Sequence, residues 1–95
     1  MAMGNQGRPQ KQVMRHYVYI LECADGSLYS GYTTDVLRRV DEHNGEGVKV
    51  GAKYTRSRRP VKLVYKKYFM SRSKATSFEA QLKKLSRLEK LKLIM

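Results

Sequence analysis

In the stretch Tyr17–His43, YVYILECADGSLYSGYTTDVLRRVDEH, the hydrophobic period changes from that of a strand to that of a helix. Tyr17–Cys23 is aromatic and β-branched, and Leu28–Tyr32 repeats that character after the polar break Ala24-Asp25-Gly26-Ser27. Gly26 can take a positive φ at little steric cost, so the break reads as a hairpin turn. Turn length then sets which side chains share a face. A two-residue turn at Asp25-Gly26 pairs Cys23 with Leu28 and puts Tyr19 and Tyr29 on opposite faces. A three-residue turn with Gly26 as a left-handed bulge pairs Cys23 with Ser27 and brings the two tyrosines to one face. Any shared chemistry of Tyr19 and Tyr29 needs the second register.

Outward from this hairpin, Thr33-Thr34 offers a helix N-cap and Asp35 suits the positive end of the helix dipole. Val36, Leu37 and Val40 supply an apolar side, and Asn44-Gly45 a C-cap. Arg39 and His43 are four apart and share a face. Gly45–Pro60 is first glycine-rich, with Gly45, Gly47 and Gly51, and then basic, with Lys49, Lys53, Arg56, Arg58 and Arg59 around Tyr54. Ala52–Ser57 could form one helical turn within it. Cations interleaved with an aromatic suit phosphate contact plus a stacking surface. A solvated loop is the plain alternative.

After Pro60, Val61, Leu63 and Tyr65 alternate with Lys62, Val64 and Lys66 as a third strand with one better-buried face. Ser71 or Ser73 can cap the next helix, whose Ala75, Phe78, Leu82 and Leu85 form a core stripe. Leu88, Leu91, Leu93, Ile94 and Met95 imply that the C-terminus packs back onto the domain. The fold class is therefore α/β. A small three-stranded, mostly antiparallel sheet (Tyr17–Cys23, Leu28–Tyr32, Val61–Tyr68) is flanked by helices near Asp35–Asn44 and Lys74–Leu85 and a short final helix. Residues 1–13 read as a disordered polar tail, and 14–95 as one domain.

Lys and Arg number 20 against 8 Asp and Glu, a net charge of +12. That excess favours an anionic partner, nucleic acid ahead of an acidic membrane surface, although a basic protein without chemistry would show it too. Cys23 is the only cysteine, so no intramolecular disulfide can form; a reducing, cytoplasmic setting is expected, with Cys23 a small packing residue. No apolar run approaches the length of a membrane span.

Tyr17-Val18-Tyr19, then Tyr29-Ser30-Gly31, Arg39 eight residues later, Pro60–Tyr65 and finally Glu79 together resemble the GIY-YIG nuclease module, closest to its small stand-alone bacterial members. Each short motif is weak alone; the ordered set is specific, and the resemblance runs from about Met14 to the C-terminus. It implies phosphodiester hydrolysis in DNA, ahead of RNA, with weak sequence preference and one divalent cation, Mg²⁺ or Mn²⁺, held by Glu79. It implies catalytic roles for Tyr19, Tyr29, Arg39, His43 and Glu79. Gly31 would let the backbone or a substrate come close beside Tyr29.

The residues alone leave other readings open. Glu79 could close a capping box with Thr76 or pair with Lys83, and Arg39 could pair with Asp35. The tyrosines could simply pack, and His43 could cap its helix. The chain also departs from the family pattern. Tyr17 stands where the first motif has glycine, Ser30 replaces an apolar residue, and no asparagine follows Glu79, so that either a residue such as Ser86 or Lys90 stands in or the active site is simpler. A non-catalytic nucleic-acid-binding module with the nuclease fold is the alternative, and a basic protein acting through a protein partner a third.

Overall fold

The computed structural model describes residues 15–45 and 53–95. The tail expected over residues 1–13, and Lys49 of the basic loop, lie outside the described residues. In chain order the elements are β1 (His16–Glu22), β2 (Leu28–Thr33), α1 (Val36–His43), α2 (Lys53–Arg56), β3 (Lys62–Phe69), α3 (Arg72–Lys83) and α4 (Arg87–Ile94). The three strands form one sheet in the order β2-β1-β3, antiparallel at both interfaces, so β1 is central.

The hairpin takes the three-residue turn. Cys23 N donates to Ser27 O at 2.8 Å, Gly26 N donates to Cys23 O at 2.9 Å, and Gly26 has φ +84°. This left-handed residue is the bulge that sets the register. Asp25 ties the turn down by accepting from Ser27 N at 3.0 Å and from Arg58 Nε at 3.1 Å. The ladder then places Tyr19 opposite Gly31 and Leu21 opposite Tyr29, so Tyr19, Leu21 and Tyr29 share one face.

β1 consequently separates two clusters. Val18 and Ile20 point to one side, where they meet Ala75 and Leu82 of α3, with Phe78, Leu85, Tyr65 and Phe69 packed around them. Tyr19, Leu21 and Cys23 point to the other side, against Val61, Leu63 and Val40 of α1. Cys23 is buried there and burial pushes its thiol pKa up, as suits a packing residue.

Three expectations are corrected. Along β3 the register shifts by one residue between Ile20–Tyr65 and Leu21–Leu63, leaving Val64 as a bulge. Leu63 therefore shares Leu21's face while Tyr65 turns to Ile20's, and Val61, Leu63 and Tyr65 do not lie together. The cap of α1 is Asp35, whose carboxylate accepts from Arg38 N at 3.2 Å. Thr33 remains in the ladder opposite Tyr17, and its hydroxyl oxygen accepts from Asp35 N at 3.0 Å. At the C-terminus Ile94 packs on the core, but Leu88 and Met95 are largely exposed and no residue of α4 is fully buried. Ser71 caps α3, as the sequence predicts, and Asn44 caps the C-terminus of α1 while its amide bridges to Val61 through two hydrogen bonds of 3.0 and 2.7 Å.

Candidate active site

The polar chemistry gathers on the face of β1 that carries Tyr19. Tyr19 is 1% exposed, and its phenol lies over Gly31, its cross-strand partner. A methyl group at position 31 would overlap the Tyr19 hydroxyl oxygen and the ring carbon that bears it. Glycine is thus required so that the Tyr19 ring can lie flat on β2. The space that Gly31 opens is filled by the Tyr19 phenol, where the sequence suggested backbone or substrate coming close beside Tyr29.

The Tyr19 hydroxyl lies 2.9 Å from His43 Nε2, and His43 Nδ1 lies 2.7 Å from Thr55 Oγ1. All three side chains are essentially inaccessible. α1 delivers His43 from its last turn, and α2 delivers Thr55 through one short turn of helix. Burial, with the nearby Arg39 charge, pushes the His43 pKa down to about 4, so the ring is neutral at pH 7. Burial pushes the Tyr19 pKa up to about 12, against the opposing pull of the Arg39 guanidinium beside it. Tyr19 is therefore a neutral phenol at any working pH.

Arg39 stands at the edge of the buried side, about a quarter exposed, and its Nη1 donates to Glu42 Oε1 at 2.8 Å. Burial works against its charge, but Glu42 and Tyr19 more than offset this and hold its pKa above the ordinary value. The ion pair weighed from sequence, Arg39 with Asp35, goes instead to Arg38, at 3.5 Å. The reason is the cap: Asp35 faces the first turn, where Arg38 is the nearer cation. Glu42, buried between Arg38 and Arg39, orients the guanidinium and had no sequence signal beyond its spacing.

Tyr29 is half-buried at the rim, its ring edge-on to His43 at 5.2 Å and stacked on Tyr54 at 5.7 Å. Arg58 covers the other side of Tyr54 at 4.0 Å, giving a column of guanidinium, phenol and phenol at the mouth of the cluster. Lys83 approaches Tyr29 from α3, its Nζ 5.8 Å from the ring and 3.2 Å from Glu79 Oε2. Glu79 is one-fifth exposed, and its charge is felt at the Tyr19 hydroxyl. The capping box with Thr76 does not form; Thr76 Oγ1 donates back to Arg72 O at 3.0 Å. Of the two stand-ins for the absent asparagine, Ser86 is engaged in the capping box of α4 with Glu89. Lys90 is near enough to Lys83 for that charge, added to burial, to lower its pKa.

The structure thus brings Tyr19, Tyr29, Gly31, Arg39, His43 and Glu79 into one neighbourhood with Tyr54 and Arg58 at its mouth. Lys53 and Arg56 of α2 are exposed. Arg59 turns inward and donates through Nε to His43 O at 2.7 Å, so it braces the site. Thr55 was missed from sequence: a threonine in a basic loop carries no signal until folding sets it behind a histidine.

A family model described as the GIY-YIG catalytic domain matches residues 15–92. A UPF0213 protein of Syntrophus aciditrophicus is 55% identical over 80 residues, covering 84% of this chain and 90% of the relative. Another, from Haloquadratum walsbyi, is 58% identical over 79 residues, 82% and 84% of the two chains. Among solved structures, the solution NMR structure of a UPF0213 protein from Bacillus halodurans has 52% identity and a TM-score of 0.54, over 85% of this chain and 83% of that one.

Proposed function

The chain belongs to the GIY-YIG family, and we propose that it is a metal-dependent endonuclease hydrolysing phosphodiester bonds in DNA with little sequence preference. One observation carries the reading. The Tyr19 hydroxyl is held between a buried neutral histidine and a fixed guanidinium, within reach of the charge of Glu79. A packing tyrosine needs no such surroundings, whereas a site that handles a phosphate and a proton does.

Glu79 is the residue that would hold the cation. Among the described residues no group of three or more His, Cys, Asp or Glu forms a closed metal cage. A single, partly exposed carboxylate suits Mg²⁺ or Mn²⁺, which keeps several waters and takes further ligands from substrate phosphate. A bound cation would neutralise phosphate charge and make a water more acidic. Lys83 must release Glu79 for this, and is then free to meet the phosphate.

The chain's own groups divide the remaining work. Arg39 presents a permanently charged fork to phosphate oxygens, kept in place by Glu42. Tyr29, at the rim between Lys83 and His43, is the tyrosine that can touch the attacking water. Tyr19, with its pKa near 12, cannot serve as an unaided base; it positions by hydrogen bonding. In the tautomer where Tyr19 donates to Nε2, His43 Nδ1–H donates to Thr55 Oγ1, and the chain of three is fully satisfied. His43 acts through Tyr19, since its ring reaches no solvent. The net charge of +12 and the Arg58–Tyr54–Tyr29 column supply backbone attraction and a stacking surface, so affinity falls as salt rises.

The test is cleavage of labelled single-stranded, duplex and branched DNA with Mg²⁺ or Mn²⁺ by wild type and Glu79→Gln. The proposal expects wild-type cleavage that falls at least about 100-fold in the variant. Salt-sensitive binding with no cleavage in either protein would replace it with the non-catalytic binding module.

A further inference from the structure

On the Tyr19 face of the sheet, away from Tyr29, a groove of about 290 Å³ opens between the first turn of α1 and the near ends of β1 and β3. Arg15, Tyr17, Thr34, Leu37 and Lys66 line it, and a smaller hollow sharing Arg15 and Tyr17 extends it to Tyr68. The register explains the assembly. Tyr17 lies two residues before Tyr19 and so shares its face; Lys66 is opposite Tyr19, and Tyr68 opposite Tyr17. None of these residues belongs to the site described above. α1 joins the two regions, with Val36 and Leu37 of its first turn at the groove and Arg39 and His43 at the site; along the helix axis the separation runs from about 3 Å (Leu37 to Arg39) to about 10 Å (Val36 to His43).

We propose that this groove is a second nucleic-acid subsite, in which an unpaired base stacks on the Tyr17–Tyr68 pair while Arg15 and Lys66 hold the neighbouring phosphates. The inference rests on the reading of the chain as a nucleic-acid enzyme and adds the kind of substrate, a single-stranded segment that runs past α1.

Four features support it. The rings of Tyr17 and Tyr68 meet at 5.7 Å and 59°, a tilted pair that leaves ring surface uncovered. Tyr68 is 43% exposed and Leu37 is 77% exposed, so apolar area lines a groove whose charged walls are mainly cationic. Lys66 Nζ lies 5.8 Å from the Tyr17 ring, placing a cation where a phosphate flanking a stacked base would lie. Among the described residues that line the groove the one carboxylate, Asp35, is occupied with the α1 cap and Arg38. A duplex cannot offer a free base face to this pair, whereas a single strand can.

Binding measured on the Glu79→Gln protein keeps this test apart from cleavage. Fluorescence anisotropy with a short oligothymidine should show Tyr68→Ala weakening binding about tenfold, with Tyr68→Phe near the parent. A duplex of equal length should lose less than about twofold. Arg15→Ala with Lys66→Ala should flatten the dependence of log K on log salt by about one to two. As a check that needs no substitution in the groove, oligothymidine carrying 5-iodouracil should photocrosslink to Tyr17 or Tyr68. Crosslinks confined to Tyr29 and Tyr54, or equal losses on single strand and duplex for Tyr68→Ala, would overturn the subsite. Either result would leave the nuclease reading to stand or fall on cleavage alone.

Discussion

The two faces of β1 follow opposite rules. Toward α3, Val18 and Ile20 meet Ala75 and Leu82 in an apolar cluster, with the buried Ser30 opposite Ile20. Toward α1, the alternate residue Tyr19 meets His43 and Thr55, with Arg39 and Glu42 at the edge. Both faces are buried, so burial alone does not tell them apart. The difference is that the α3 face packs chiefly by dispersion, whereas the α1 face adds a chain of directional hydrogen bonds to its own apolar cluster. The first can be repacked; the second tolerates only groups that donate and accept at the same places. One strand thus carries stability on one side and chemistry on the other.

Breaking the apolar face should have the largest effect on stability. Ile20 is fully buried, and Ile20→Ala should cost about 3–4 kcal/mol in urea unfolding. Specific cleavage activity, corrected for folded fraction, should be unchanged. A loss of activity beyond the loss of folded protein would mean that the two faces are not separable.

Acid should break the polar face in turn. The His43 pKa is about 4 in the folded chain against 6.5 unfolded, so the unfolded chain binds more protons between those values. The stability from the neutral ring is complete above pH 6.5 and is lost as pH falls toward 4, amounting to about 3 kcal/mol once below it. Two-dimensional NMR of the ring should place the His43 midpoint near 4. A midpoint near the ordinary value would show the ring to be solvated and the hydrogen-bonded chain open.

Gly31→Ala should act next, by about 1–3 kcal/mol, because the added methyl overlaps the Tyr19 phenol. Displacing that phenol also removes a partner from His43, so the histidine pKa should rise toward its ordinary value. An unmoved titration would place Tyr19 elsewhere.

Much of this arrangement was legible because it is local. Ala24-Asp25-Gly26-Ser27 marks the turn, but the sequence leaves two lengths open for it; the three-residue form, which the structure takes, sets the register that puts Tyr19 and Tyr29 on one face. The spacing of Arg39 and His43 placed both on the same side of α1. What could not be read arises from pairings between distant segments. The β3 bulge that turns Tyr65 away from Leu63 depends on how β3 meets β1. Thr55 gains its role only when α2 folds behind His43, 12 residues away in sequence. Glu42 outcompetes Asp35 for Arg39 because Asp35 is spent on the helix cap. Gly31 reads in sequence as room for backbone or substrate beside Tyr29, whereas that room is taken by the Tyr19 phenol from the facing strand.

The most direct measurement replaces Tyr19 by phenylalanine and compares cleavage rate with thermal stability in the same preparation. The ring still packs on Gly31, and only the hydroxyl's contacts with His43 and Arg39 are lost, so stability should fall by about 1–2 kcal/mol. The cleavage rate should fall at least about 100-fold, far beyond what that destabilisation explains. Undiminished cleavage by Tyr19→Phe would contradict the account, because the hydrogen-bonded face of β1 would then be structural and the chemistry would lie elsewhere.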